Sequence, residues 1–484
     1  SSPPFRGTFH LLAFAPLFLY WRKTENSKNI FISGWIAQFT FTLILLFWIP
    51  QSLSNFGIWS LPKNWLLFLT FCTLAHFYLP LVGLLWLWLD KTRNFFILAG
   101  LFSFIHFLWP KALDWNFGYQ WLWLDWSGAQ VAELIGFSGL GFLTVLLNAT
   151  FTESLDKLIN KKILTAGIYA LVGILGFLTI QFLGADLLNA NLAADSVKVK
   201  VLLVQSNIPN ELRKNDSNPI FKNLIVNRQI ELTDIALKSQ DKKPDLIIWP
   251  ETAVPDFLDP IYQGGILPTR IRKSVKNWEV SLLTGTYSSP DGKKEYNAVA
   301  VIDQNGEISQ PAYQKNHLMP FGETITVHAL SEGEAVKTFR SSNLVIGPLI
   351  CYEAIFSNHV AALTEANILV NVTNDSWFDK NLEPYQHLNT TRARAIEFRK
   401  PLIRVANSGV SAAFDKFGRE IISSNLDIDW TGFAEVEVSQ PHLTVYAWTL
   451  QHFKIYPVLY LIPFLISYLP NFRRGPKGIS AANP

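Results

Sequence analysis

The chain is 484 residues long, 49% hydrophobic and only 16% charged, with 17 Trp and a formal net charge of +3. That length accommodates two or three domains, and so apolar a composition fits a membrane protein with a soluble portion better than a soluble enzyme. The weak net charge, without runs of like charge, argues against nucleic acid as a partner, and two cysteines, Cys72 and Cys351, build no disulfide framework.

Six apolar segments open the chain, at 8–21, 31–49, 65–89, 94–109, 130–151 and 163–184, and a seventh follows a long polar region at 454–470. Most approach the ~20 apolar residues that span a bilayer, with 8–21 and 94–109 short of it. The one methionine is Met319, so "SSPPFRGTFH" carries no initiator and a preceding segment is expected. Basic residues cluster in alternate loops. Arg22, Lys23 and Lys28 follow the first segment, Lys91 and Arg93 the third, Lys157, Lys161 and Lys162 the fifth, and Arg473, Arg474 and Lys477 the last. The intervening loops carry only Lys63 and Lys111. Basic loops stay cytoplasmic, which places the polar region on the outer face. The expected organisation is transmembrane helices over 1–189, an outward-facing catalytic domain over 190–445, and a final transmembrane helix with a cytoplasmic tail over 446–484.

Within the apolar part, the loop from Trp109 to Trp126 gathers Trp115, Phe117, Tyr119, Trp121 and Trp123, an interfacial aromatic belt and equally the wall of a groove beneath the outer domain. Glu133 lies near the outer end of its segment and is expected to be wet. His76 and His106 sit in apolar surroundings and read as packing residues. The glycines of "GFSGLG" (136–141) have no strand before them, so they read as close helix packing rather than a nucleotide loop.

The polar region alternates strand-like and helix-like runs. Strands are expected at 197–207, 245–250, 280–287, 298–303, 343–353, 367–374, 402–407 and 411–415, and helices near 218–239, 355–366 and 385–399. The aliphatic, β-branched runs imply strands covered on both faces. Several come in adjacent pairs with no helix between, so a two-sheet sandwich flanked by helices fits better than a Rossmann alternation.

Three strand-to-loop junctions, the places where α/β domains put reactive groups, carry ionisable residues. "IIWPETAVP" holds Glu251, "YQKNHLMPFGE" holds Lys315 and Glu323, and "LICYE" holds Cys351. A free thiol is mostly protonated at neutral pH, so a nucleophilic cysteine needs a base and a positive neighbour. Glu251 suits the first role and Lys315 the second. Taken singly, the three read as an exposed Glu, a solvated Lys and a core Cys. A Cys–His pair using His317 or His387 as base is a rival. The sequence has no HExxH, no CxxC and no P-loop, so neither a metal nor a nucleotide is expected.

In this order, Glu251 after "WP", Lys315 in mid-loop and Cys351 before "YE" resemble the Glu-Lys-Cys triad of the nitrilase superfamily. With its membrane segments, the chain resembles the bacterial apolipoprotein N-acyltransferase family over nearly its full length. The blocks "LLVQSNIP", "IIWPETAVP", "YQKNHLMPFGE", "ICYE", "NVTNDSWF" and "QHLNTTRARAIEFRKPLIRVANSG" look like that family's, in order. The resemblance implies a polytopic α-helical membrane domain and a nitrilase-like α/β domain, an α-β-β-α sandwich. It implies Cys351 as nucleophile, Glu251 as general base and Lys315 as oxyanion stabiliser. Glu323 would support the lysine, Tyr352 and Glu353 would shape the nucleophile turn, with the Tyr352 N–H a second oxyanion donor, and Trp377 would help build the substrate pocket.

The implied reaction carries a fatty acyl chain from a phospholipid, phosphatidylethanolamine being the expected donor, through a cysteine thioester. The acceptor is the N-terminal amino group of the diacylglyceryl-cysteine of apolipoproteins. Phospholipid, diacylated apolipoprotein and the bilayer are the implied partners, without cofactor or metal. The implied place is the bacterial inner membrane, with the catalytic domain in the periplasm. Two departures stand out. The family often has a Trp shortly after "NIP", where this chain has Lys214, and it has eight transmembrane helices against the seven counted here, so one N-terminal segment is expected to be missing. The alternatives are a membrane-anchored nitrilase-type amidase acting on a small soluble substrate and, from another class, a non-catalytic membrane scaffold.

Overall fold

The computed structural model describes residues 8–111, 115–189, 196–213, 218–320, 322–324, 330–341, 344–378, 381–453 and 456–463. Its first part is helical. The helix Ser27–Leu45 begins at Asn26, whose side chain accepts from the Lys28 and Asn29 N–H groups, an N-cap that satisfies donors with no helical partner. It breaks after Leu45 and turns by 48° into Ile49–Asn55, which carries a proline in its first turn, where the missing N–H costs nothing. Three continuous stretches, Leu61–Leu89, Ser127–Ile159 and Ile163–Asn189, are long and apolar enough to cross a membrane, and the bent pair makes up to four.

Counting apolar segments had overstated some spans. The segment 94–109 forms Phe95–Leu108, 14 residues, short of the ~20 that a span requires. Its Phe95, Ile97, Leu98 and Phe102 pack with Phe18, Trp21 and Trp86 in a core inside the bundle. The first segment forms only a short turn and the helix Ala15–Lys23. Of 454–470, Tyr456–Leu461 forms a 3-10 turn, and the tail expected to be cytoplasmic lies outside the described residues, as does Lys214.

The second part is built on two sheets. One runs in the order Trp430–Ser439, Ser196–Gln205, Leu246–Ile248, Ser281–Ser288, Tyr296–Ile302 and Tyr313–Gln314, with Val254–Phe257 paired to Ser281–Ser288. The other runs Glu420–Ser423, Ala412–Phe414, Leu402–Ala406, Ile368–Thr373, Leu344–Ile350 and Phe339–Ser341. Val201, Leu203, Ile248 and Leu283 of the first meet Ile346, Ile350, Val370 and Ile403 of the second in one core. The helices Pro219–Lys238 and Ile266–Trp278 cover the first sheet's outer face through Val226, Ile271 and Val275. Glu383–Phe398 covers the second through Leu388, Ala395 and Phe398. The architecture is an α-β-β-α sandwich, and each strand expected from the sequence lies within it. The helix expected at 355–366 shrinks to Ser357–Ala361.

Glu383–Phe398 also joins the two parts. Gln386 donates to the Leu45 carbonyl and accepts from the Trp48 indole, both at 3.0 Å. Arg394 reaches the Tyr119 hydroxyl at 2.7 Å, and Glu397 accepts the Phe137 N–H at 2.9 Å. Glu133, expected to be wet, is instead buried: Arg399 Nε donates to it at 2.8 Å and Arg399 also bonds Gln130. The "GFSGLG" glycines do serve close packing. Gly136 has φ of +67° and a Cβ there would strike the Tyr446 ring.

Breaking a buried ion pair from one side typically costs about 3–5 kcal/mol, so Glu133→Ala, which strands the Arg399 guanidinium, should lower the melting temperature of the detergent-solubilised protein markedly. Arg228→Ala removes exposed pairs to Glu231 and Asp429, a change worth about 1 kcal/mol at most. Equal shifts from the two variants would refute the tie described here.

Candidate active site

Cys351 is the first residue beyond the strand Leu344–Ile350 and opens the 3-10 turn Cys351–Ile355. Its φ is +49°, a left-handed conformation that a residue with a Cβ holds only when its surroundings impose it. The side chain is buried and lines the same cavity, about 500 Å³, as Glu251, Lys315, Glu323, Asn297 and Trp377. The two residues on which the sequence reading turns, at strand ends far apart in the chain, are thus brought to the thiol.

Glu251 follows the short strand Leu246–Ile248 in a turn held against Ser281–Ser288, where the Gly285 N–H donates to the Pro250 carbonyl at 3.2 Å. A Cβ on Gly285 would lie 2.6 Å from the Glu251 Cα, so only glycine lets the two segments approach. Lys315 follows the two-residue strand Tyr313–Gln314, its N–H bonded to the Asn297 carbonyl at 2.8 Å. Its ammonium is 3.4 Å from Glu251 Oε1 and 2.8 Å from Glu323 Oε2. The Asn297 amide donates to Glu251 Oε1 at 2.7 Å and to Glu323 Oε1 at 2.8 Å. Two carboxylates, one ammonium and one amide are thus linked, with Glu251, Lys315 and Asn297 buried and Glu323 half-buried.

Glu353 braces the turn. One oxygen accepts from the Tyr313 hydroxyl at 2.8 Å and from the N–H groups of Asn316 and His317 at 2.5 and 3.3 Å; the other accepts the Ile350 N–H at 2.7 Å. The carboxylate so ties the nucleophile strand to the lysine loop. Tyr352 packs edge-on against Phe356 at 4.9 Å. Trp377 stacks on Phe56 at 4.8 Å and accepts from Asn55 on its carbonyl at 2.9 Å, so that wall of the cavity belongs partly to the helical part. His317 lies against Phe356 and His359, and His387 faces the Cys351 main-chain oxygen. Among the described residues neither imidazole hydrogen-bonds the Cys351 thiol, so neither is placed as the base of a Cys–His pair.

Charge follows geometry. Burial pushes the Cys351 thiol well up, and the Glu251 charge adds to this against the opposing pull of Lys315 and a hydrogen bond from Thr373. The thiol is the resting form. Burial raises the Glu251 carboxyl above the usual carboxylate range; Lys315 opposes and Glu323 reinforces the rise. Burial alone would lower Lys315, but Glu323, Glu251 and Cys351 together carry it above its ordinary value, so it stays charged.

A second, narrower cavity of about 70 Å³ also touches Cys351, and its other walls include Leu45, Leu46, Trp48, Trp115, Met319 and Phe378. Its surface is mostly apolar, with Glu383, Gln386, His387 and Thr390 completing the lining, and residues on both sides of the break in the bent helix pair form one wall. Asn297, Thr373, Asn371 and Arg404 were missed by reading the sequence. The signal available was a polar or charged residue inside an otherwise aliphatic strand, as in "NILVNVTN" and "LIRVAN". Asp375, Glu383 and His387 offer ligand atoms within 4.8 Å of one another, but the Arg404 guanidinium, 2.6 Å from Asp375, already fills that place with positive charge.

Comparison with known proteins places the whole chain. Residues 1–150 match the family model described as the apolipoprotein N-acyltransferase N-terminal domain, and residues 204–440 match that of carbon-nitrogen hydrolase. An apolipoprotein N-acyltransferase of Bdellovibrio bacteriovorus is 30% identical over 89% of this chain and 84% of its own length. One of Bradyrhizobium diazoefficiens is 32% identical over 75% and 71%. A carbon-nitrogen hydrolase of Helicobacter pylori, solved by crystallography, superposes with a TM-score of 0.40 at 16% identity, over 57% of this chain and 98% of its own.

The bridging amide supplies a test. Asn297→Asp replaces a donor to Glu251 with a third carboxylate, and both changes favour protonation of Glu251 and of the thiol. The pH midpoint for alkylation of Cys351 by iodoacetamide should therefore move upward. An unchanged midpoint would show that Asn297 is not coupled to the thiol.

Proposed function

We propose a reaction course from one premise: this chain belongs to the apolipoprotein N-acyltransferase family. It is an acyltransferase that N-acylates lipoproteins. In the first half-reaction Cys351 attacks the ester carbonyl of a phospholipid, Glu251 takes the thiol proton, and the proton passes to the departing alkoxide of the lysophospholipid. A thioester bond forms as the ester bond breaks. In the second, the amino group of the diacylglyceryl-cysteine attacks the thioester, an amide forms, and the amine proton returns through Glu251 to the thiolate. Lys315 and the Tyr352 N–H meet the oxyanion in both steps, and Glu323 holds Lys315 in place. The double use of one base and one nucleophile is ping-pong chemistry.

The observation that carries this reading is the pair of cavities meeting at Cys351, one charged and about 500 Å³, the other mostly apolar and walled by Leu45, Leu46 and Trp48 of the bent helix pair. A mostly apolar slot beside the thiol, walled by residues of the bent helix pair, suits the carbonyl end of an acyl chain better than a small soluble substrate. Burial raising Glu251 also suits a base that must both accept and return a proton. The membrane is the bacterial inner membrane, with the sheet-bearing part in the periplasm and phosphatidylethanolamine the donor.

Phospholipid alone should leave an acyl group on Cys351, labile to neutral hydroxylamine, absent in Cys351→Ala, and discharged by a diacylated lipopeptide with a free amine. Lys315→Ala should slow its formation about 10²–10³-fold, the usual cost of one oxyanion donor. An acyl group on any other residue, or none within a single turnover, would sink the nucleophile assignment. Phosphatidylglycerol outpacing phosphatidylethanolamine would reverse the donor assignment.

Orientation is tested separately. Alkaline phosphatase, active only outside the cytoplasm, should be active when inserted near Ser217. An active cytoplasmic reporter at the same position would overturn the periplasmic placement.

A further inference from the structure

Beside the nucleophile lies a buried polar tier that no step above uses, two of whose members, Glu383 and His387, also line the narrow cavity. Arg404, in the strand Leu402–Ala406, donates to Asn371 Oδ1 at 2.7 Å and to Asp375 Oδ2 at 2.6 Å. Asn371 Nδ2 in turn donates to the main-chain oxygen of Cys351 at 3.3 Å, and His387 Nε2 lies 3.2 Å from that same oxygen. The other ring nitrogen of His387 faces Arg404 and Asp375 Oδ1, each at 3.2 Å, with Glu383 at 3.8 Å.

A carbonyl oxygen only accepts, so Nε2 carries a proton. Nδ1 lies between the Arg404 guanidinium and the Asp375 carboxylate; burial and the guanidinium lower the imidazole's pKa while Asp375 opposes them, and the Nε2–H donates to the carbonyl with or without a proton on Nδ1. Its target is the residue at φ +49°, a conformation costing about 1–3 kcal/mol that lasts only where the surroundings over-determine it. The peptide joining Cys351 to Tyr352 is planar and trans, so its N–H points opposite to its C=O. Two donors pulling the carbonyl into the tier aim the Tyr352 N–H the other way.

We propose that His387 is a positioning residue for the reaction: together with Asn371 it holds the Cys351 carbonyl, keeps the strained turn in place, and presents the Tyr352 N–H to the reacting carbonyl. The proposal rests on Cys351 being the nucleophile. It differs from a Cys–His pair, because the ring touches the peptide and not the thiol.

The test uses the full chain in phospholipid-containing detergent micelles, with His387→Ala, His387→Gln, whose amide places an N–H near the position of Nε2, and Asn371→Leu. In His387→Ala the rate constant for acylation of Cys351 should fall about 10–100-fold, as small misplacements of reacting groups do. The pH midpoint of Cys351 alkylation should stay put. His387→Gln should recover most of the rate, and Asn371→Leu should show the same loss in rate alone. Wild-type acylation rates with only a lowered melting temperature would reduce the tier to packing and overturn the proposal. A shifted alkylation midpoint without rescue by Gln would overturn it in favour of proton transfer. Should His387→Ala fail to fold, Asn371→Leu decides, a wild-type rate there refuting the role. If Cys351→Ala still forms an acyl-enzyme, the nucleophile assignment falls instead, and that result is distinct from every outcome at His387.

Discussion

The site depends on one buried carboxylate that touches none of the reacting atoms. Glu353 collects a hydroxyl from Tyr313, two N–H groups from the lysine loop and one from the nucleophile strand. Each of those donors, left without a partner in the interior, would cost about 1–3 kcal/mol. The lysine loop and the nucleophile turn belong to different sheets, and nothing in either strand's own hydrogen bonding fixes their separation. A carboxylate accepts on two oxygens and in several directions at once, which no amide of the same shape can do. The distance between ammonium and thiol is therefore set by acceptor geometry, not by packing alone.

Electrostatics sharpens the same point. Glu251, Glu323 and Lys315 are all largely withdrawn from water, where unpaired charges are costly. One ammonium between two carboxylates leaves a surplus of negative charge, which Asn297 spreads across both through its two N–H groups. The thiol, hemmed in by the same carboxylate that would deprotonate it, stays protonated until a substrate displaces the balance.

Much of this could be read from the residues. Aliphatic runs ended where strands end, and the order of Glu251, Lys315 and Cys351, with the blocks around them, pointed to the right superfamily. Other features escaped for identifiable reasons. The strand Trp430–Ser439 pairs along the whole of Ser196–Gln205, yet its alternating charged residues Glu435 and Glu437 mask it. The helix Ile266–Trp278 is rich in Lys and Arg, which dilutes the apolar pattern of its buried Leu267, Ile271 and Val275. The wetness of Glu133 was inferred from its place in one segment, while its partner lies 266 residues away. Apolar runs reveal segments but not lengths, so Phe95–Leu108 looked like a span although it is a core helix. Arg404 was visible throughout as a lone cation in an apolar strand, a pattern whose meaning depends on what surrounds it in three dimensions.

The break after Leu45 has a mechanical consequence. A helix that stops in mid-bundle leaves carbonyls without their next-turn partners, and Gln386 takes the one at Leu45 while its own oxygen receives the Trp48 indole. The amide is used on both sides and fits one way round only. Turning Glu383–Phe398 by a single residue, about 100°, or sliding it by one turn, about 5.4 Å, would lose both bonds together. Gln386 therefore indexes the catalytic part on the bundle as a key indexes a shaft, and the residue beside it on that shaft is His387.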